Sequence, residues 1–195
     1  MVYLTCQVHC LDPGSSPLSS PGSAPGSAPG DPRRHSAMPV NQAAPLVIDP
    51  ASDSDRRWAA LLMAGAEPWR TLGRDLAACT AALALAPDTD LLIARRGGTP
   101  LGFVLVRARG LAGSPYIASI AVTAEARGQG IGAHMVAHVE ARCAPTARHL
   151  FLCVSSFNAD AQRLYGRLGF SQVGELPDYV IAGASELILH KRLAP

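Results

Sequence analysis

Charge is scarce in this chain: aspartate, glutamate, lysine and arginine make up 16% of 195 residues, and they nearly cancel, leaving a net +2. A surface basic enough to hold nucleic acid or an anionic membrane is therefore not expected. The paired arginines at Arg33-Arg34, Arg56-Arg57 and Arg95-Arg96 are scattered, as solvated surface charges are. Long apolar runs are missing too. The longest, Leu76 to Pro87, is broken by Thr80 and falls short of the roughly 20 residues a membrane-spanning helix needs. The first residues carry no basic start, and their apolar stretch ends at Asp12-Pro13, so no signal peptide is expected. The five cysteines are odd in number and follow no regular framework. Cys79, Cys143 and Cys153 sit in apolar patterns, where a free thiol behaves as a small hydrophobe, which points to a reducing, cytoplasmic setting. Cys6 and Cys10 have no second pair of ligands beside them, so no metal site is expected there.

What is abundant is apolar residues, 48% of the total, enough for one domain with a proper core. They are unevenly spread. Residues 11–37 are dominated by Pro, Ser, Gly and Ala, with a short Pro-Gly-Ser-Ala repeat from Pro21 to Gly30. Such a segment buries too little apolar surface to offset its ordering entropy. The expected organisation is a disordered tail over residues 1–44 and a single domain over 45–195. Met38 follows the 11–37 segment directly and is a candidate translation start; a mass spectrum of the native protein retaining residues 1–37 would exclude it.

Within the domain the pattern reads β-α-α-β-β-β-α-β-α-β-β, a mixed α/β (α+β) fold. Leu46-Val47-Ile48 is a short strand. Asp53 or Ser54 caps a helix through Trp58, Leu61, Leu62 and Met63, and a second helix runs from Arg74 to Ala86 after the break at Glu67-Pro68. Strands follow at Leu91–Arg95 and Leu101–Arg109, joined through Gly97-Gly98-Thr99-Pro100. After a turn from Gly110 to Pro115, the alternation of Tyr116, Ile117, Ile120 and Val122 gives another strand. A helix holding Ile131, Met135 and Val139 on one face comes next, then a strand at His149–Val154. Asn158 caps a helix to Leu168, with Gly169 closing it, and strands at Phe170–Gly174 and Ser185–Leu193 end the chain.

Three glycines, Gly128, Gly130 and Gly132, separate the strand ending at Val122 from the helix that holds Ile131. A strand that turns through glycines into a helix N-terminus offers bare N–H groups at the positive end of the helix dipole, a site for pyrophosphate. Gly128-x-Gly130-x-x-Ala133 formally satisfies a dinucleotide fingerprint. That fingerprint places its glycines directly after the strand, with an acid about 20 residues on for the ribose. Here Thr123 to Arg127 intervene, and no acid lies between Glu140 and Asp160. A nucleoside-triphosphate loop ends in Gly-Lys-Ser/Thr, and Gly132-Ala133-His134 does not.

The third reading takes the whole stretch. Arg127-x-x-Gly130-x-Gly132, together with Asn158-x-x-Ala161-x-x-Leu164-Tyr165-x-x-x-Gly169-Phe170, resembles the two signatures of the GNAT superfamily of N-acetyltransferases, in order and spacing, over residues 45–195. The resemblance implies a mostly antiparallel central sheet with one splayed parallel strand pair, flanked by helices. It implies acetyl-CoA as co-substrate, with no metal. The backbone of Arg127, Gly128, Gln129, Gly130, Ile131, Gly132 and Ala133 would cradle the pyrophosphate. Backbone groups near Ala121 and Val122 would bind the pantetheine arm as a strand and polarise the thioester carbonyl. Asn158 would hydrogen-bond the same arm. Tyr165 would be the general acid that protonates the departing thiolate; it also shares one helical face with Ala161, Leu164 and Leu168, as a core residue would.

The base is where this sequence departs from its relatives. Many members carry a glutamate on the first splayed strand, but Tyr116 to Val122 holds no acid. The ribosomal-protein alanine acetyltransferases carry one on the second strand, twelve residues before the tyrosine, where Cys153 stands here. Glu67, in a connection that borders the acceptor cleft in the family, is a candidate base, as is a water chain touching Ser155 or Ser156; Glu67 also fits an ordinary surface carboxylate. Trp69 and Tyr179 are candidates for the acceptor site, Trp69 also for simple packing. His134 and His138 are spaced like a zinc pair, yet Met135 replaces the glutamate of the zinc-protease motif and no third ligand is evident. The expected activity is acetyl transfer to an amine, a small molecule or a peptide N-terminus, by direct attack in a ternary complex. An acyl-CoA-binding module with little or no catalysis is the alternative. Dimerisation is common in the superfamily, and the final strands are candidates to carry it.

Overall fold

The computed structural model describes residues 4–5, 44–84 and 86–194. The tail expected over residues 1–44 therefore lies almost wholly outside the described residues, as do Cys6, Cys10 and Met38. The elements are β1 (Leu4–Thr5), β2 (Leu46–Pro50), α1 (Asp53–Ala64), α2 (Leu76–Ala82), β3 (Thr89–Arg96), β4 (Thr99–Leu111), β5 (Ser114–Val122), α3 (Ile131–Cys143), β6 (His149–Ser155), α4 (Ala159–Arg167), β7 (Ser171–Pro177) and β8 (Ser185–Arg192). They form one mixed sheet in the order β2-β3-β4-β5-β6-β8-β7, with β1 added on β5. Every neighbouring pair is antiparallel except β5 and β6. No helix among the described residues is long and apolar enough to cross a membrane.

The expected order of elements holds from β2 onward; the differences are local. α1 is capped by Ser52 rather than Asp53 or Ser54, because Ser52 and Asp55 satisfy each other's backbone N–H groups in a capping box. α2 is only Leu76–Ala82, started by Asp75, whose carboxylate accepts from Ala78 N at 2.7 Å. The connection from β3 to β4 is the pair Gly97-Gly98, so Thr99 and Pro100 already belong to β4. Gly110 is likewise inside β4, and the turn into β5 is Ala112-Gly113.

Alternation along the central strands builds two cores, one on each face of the sheet. On one face, Val104, Ile117, Ile120, Leu152 and Val154 pack against Ile131, Met135 and Val139 of α3 and Tyr165 of α4. On the other, Ile93, Phe103, Leu105 and Ala118 pack against Ala59, Ala60 and Met63 of α1 and Cys79 of α2. Trp69, from the connection between those helices, is fully buried in this second core, 6.4 Å from the Phe103 ring. Trp69→Ala should cost about 3–5 kcal/mol of stability. A lower urea midpoint at unchanged slope would register it.

Candidate active site

The site is prepared by two irregularities in β5. In its ladder with β4, Leu105 faces Ser119 while Val106 faces Ile117, so Ala118 is an extra residue in a β-bulge. On the other side, β5 meets β6 only at Tyr116↔Phe151 and Ile117↔Leu152. Beyond these, β6 follows β8 to Ser155 and β5 follows β4 to Val122, so the two parallel strands part. The edge β6 uncovers accepts an extended segment: Leu4 and Thr5 pair there with Ile120 and Ser119. The Ser119 hydroxyl is buried at this fork with no hydrogen-bond partner among the described residues. Ala121 and Val122 pair with Phe103 and Gly102 of β4.

Past Val122, a 3-10 turn over Ala124–Ala126 leads into the glycine loop. Gly128 and Gly130 both take left-handed backbone, at φ 75° and 76°, which costs a residue with a Cβ about 1–2 kcal/mol. Gly130 is the N-cap of α3 and supplies no side-chain cap, so the first N–H groups of that helix face outward bare. They open on a cavity of about 210 Å3 lined by Arg127, Gly128, Gly130, Gly132, Ala133 and Arg167. Bare amides, a helix N-terminus and two guanidinium-bearing residues fit a pyrophosphate. Gln129 holds the loop in shape: its Oε1 accepts from Arg96 at 2.9 Å and its Nε2 donates to the Glu125 carbonyl at 3.2 Å. Arg167 carried no signal in the sequence, because only the packing of α4 beside α3 brings it to the loop.

Asn158 caps α4 as expected, its Oδ1 accepting from Ala161 N at 3.2 Å. Its own N–H donates to the Ser155 carbonyl at 2.9 Å, fastening α4 to the end of β6 beside the fork. Asn158→Ala should cost about 1 kcal/mol of stability, seen as a lowered Tm. Tyr165 lies one turn and a half into α4, 1% exposed, with its ring edge-on to Phe170 at 5.6 Å between centroids. It packs as core residues do, in the core shared by β5, β6 and α3.

The acidic candidates separate sharply. Glu67 borders a cavity of about 330 Å3 with Thr71, Phe157, Asn158 and Asp160. Its carboxylate accepts from the Thr71 hydroxyl at 2.6 Å and the Thr71 N–H at 3.0 Å, and the hydroxyl's hydrogen bond holds its pKa below the ordinary range. Glu186, which the sequence reading passed over, is 6% exposed on β8, opposite Ser155 of β6. The Ser155 hydroxyl donates to it. Burial pushes its carboxyl up, with the Ser155 hydrogen bond pulling less strongly the other way. Nothing in Ser185-Glu186-Leu187-Ile188-Leu189 says which face of the strand is buried against what; only the register with β6 does. Trp69 belongs to the core and does not open on a cleft, whereas Tyr179 is 41% exposed after β7. His134 is exposed, its Nδ1 3.0 Å from the Gly130 carbonyl on its own helix.

Known proteins share this fold. The model of the Acetyltransferase (GNAT) family matches residues 55–170. The 5-NmdU N-acetyltransferase of Pseudomonas phage PaMx11 is 35% identical over 85 residues, which are 43% of this chain and 58% of that protein. The chain thus spans little more than half the length of this relative. The ribosomal-protein-S18-alanine N-acetyltransferase of Escherichia coli superimposes with a TM-score of 0.64, at 18% identity over 77% of this chain and 95% of that one. The spermidine N-acetyltransferase of Vibrio cholerae, solved with CoA and spermine, gives 0.62 at 13% identity over 76% and 95%.

Proposed function

The chain belongs to the acetyltransferase (GNAT) family, and from that premise we propose that it transfers an acetyl group from acetyl-CoA to a primary amine. The observation that carries the reading is the parting of β5 from β6 beside a bare helix N-terminus. The spacing suits a ligand with a pyrophosphate at one end and an extended, amide-bearing arm leading to a thioester. The pyrophosphate would take the amides of Gly128 to Ala133, with Arg127 and Arg167 balancing its charge. The arm would add to the edge of β5 that β6 leaves, at Ala121 and Val122, as a strand does. That edge is the one β1 holds, so β1 gives way when acyl-CoA binds.

Chemistry then follows from position. A backbone N–H of β5 near the bulge polarises the thioester carbonyl and steadies the tetrahedral oxyanion. Tyr165 donates its proton to the departing sulfur. The amine enters from the opposite face, past the cavity that Glu67 and Asn158 border. Attack is direct, and no protein nucleophile is required. The test is thiol release from acetyl-CoA with spermidine, a peptide bearing an N-terminal alanine, 5-NmdU and benzylamine offered in turn. Amine-dependent release is expected. Tight CoA binding without release for any amine would favour an acyl-CoA-binding module instead.

A further inference from the structure

Acetyl transfer to an amine has a proton problem that the residues named so far leave open. At neutral pH the acceptor is an ammonium ion, which has no lone pair with which to attack. The first splayed strand has no acid, and the position on β6 where some relatives carry one is Cys153. Glu67 is tied to Thr71 and made a weaker base by it.

Two residues beyond Cys153, on the same face of β6, stands Ser155, 1% exposed. That face looks toward the α1 and α2 layer, where Cys153 is buried and Ile188 of β8 packs beside it. Glu186 is Ser155's register partner and Ile188 is the partner of Cys153, so serine and glutamate stand side by side facing that layer. The Ser155 carbonyl accepts from Asn158 N and from Gln162 Nε2 at 3.2 Å, which fixes the serine at the root of α4. Tyr165 is buried in the core on the other face of the sheet. Acid and base would then come from different faces of the sheet, which keeps the proton given to sulfur apart from the one taken from the amine.

Building on the acetyl-transfer reading, we propose that Ser155 and Glu186 form the proton route for the acceptor, with the serine hydroxyl as the group that meets the ammonium and Glu186 as its proton sink. The hydroxyl takes a proton from the ammonium while its own passes to the carboxylate. The freed nitrogen lone pair forms the C–N bond, the C–S bond breaks, and the sulfur takes a proton from Tyr165. The second nitrogen proton goes to water, which also reprotonates Tyr165 and unloads Glu186, so each turnover releases one proton net. Ser155 is the catalytic residue here, and Glu186 acts through it.

The groups that share Glu186's surroundings are Ser155 and Cys153 on β6, Ile188 on β8 and Leu176 opposite it on β7. The connection between α1 and α2, which carries Glu67 and the exposed Arg70, packs on the same face of the sheet through Ala66 and Trp69. Burial is the largest influence and moves the carboxyl upward. A base works deprotonated, so kcat/KM in the wild type should rise through an inflection above the ordinary glutamate range. Stability should show the same group with opposite sign. A carboxyl whose folded pKa is raised contributes stability below its unfolded pKa and loses it as pH rises through the folded one.

The experiment is a pH profile of amine-dependent thiol release for wild type, Glu186→Gln, Glu186→Asp and Ser155→Ala, using the best of the four amines above. Glu186→Gln should lower kcat about 100-fold at neutral pH, abolish the inflection and leave CoA affinity unchanged. Glu186→Asp should restore part of the rate together with the inflection, and Ser155→Ala should match Glu186→Gln. Thermal unfolding checks the fold: Glu186→Gln should melt at or above the wild-type temperature at neutral pH, with a flatter pH dependence. A wild-type profile retained in Glu186→Gln overturns the route and leaves acetyl transfer standing. A wild type that releases thiol with none of the amines overturns both.

Discussion

Gly130→Val should raise the dissociation constant for CoA by about 100-fold, equivalent to about 2.7 kcal/mol. Space is not the reason: a Cβ at Gly130 would meet only the His134 ring, at 3.7 and 3.8 Å, in ordinary contact. The reason is backbone conformation. Gly130 sits at φ +76°, where a β-branched residue is a genuine outlier. Valine would drive the residue out of the left-handed region and turn the N–H groups that follow it away from the cavity. Because Gly130 is also the N-cap of α3, the aim of the helix's first turn is lost with it. Isothermal titration with CoA reads the effect directly. A folded Gly130→Val protein with wild-type affinity would mean that the loop does not hold the pyrophosphate.

Tyr165→Phe should lower kcat by about 10- to 1,000-fold while leaving CoA affinity nearly unchanged, the loss of one proton-transfer contribution. The substitution keeps the ring, and with it the edge-on contact to Phe170 and the packing on α3. It removes only the hydroxyl, so a fall in rate at constant Tm separates proton transfer from core packing. Turnover equal to wild type would return Tyr165 to the core and leave the thiolate to be protonated by water.

How much of this was legible beforehand depends on how local the cause is. The glycine turn into α3 and the Asn158 cap of α4 can be read directly, because helix starts and caps are decided within a dozen residues of chain. The expected mixed sheet with one splayed parallel pair is the sheet observed. β4 reaches a few residues further than its pattern suggests, since turn chemistry at Gly97-Gly98 and Ala112-Gly113 outweighs the prolines and glycines nearby, and α2 stops at Ala82, short of Pro87. Arg167 and Glu186 were invisible for a different reason. Arg167 reaches the loop only through the packing of two helices, and Glu186 meets Ser155 across a strand pairing that spans 31 residues. Local pattern carries no information about either. Glu67 was chosen because it lies in the connection that borders the cleft; the hydrogen bonds from Thr71 that weaken it as a base are a matter of side-chain geometry.

Acetyl transfer from CoA to an amine, as proposed, leaves its mark on the amine itself. The most direct measurement uses acetyl-CoA with a deuterated acetyl group and mass spectrometry of the amine after incubation with the protein. A labelled N-acetyl amine is expected, absent without protein and strongly reduced with Tyr165→Phe. Saturable CoA binding with every offered amine recovered unlabelled would contradict it.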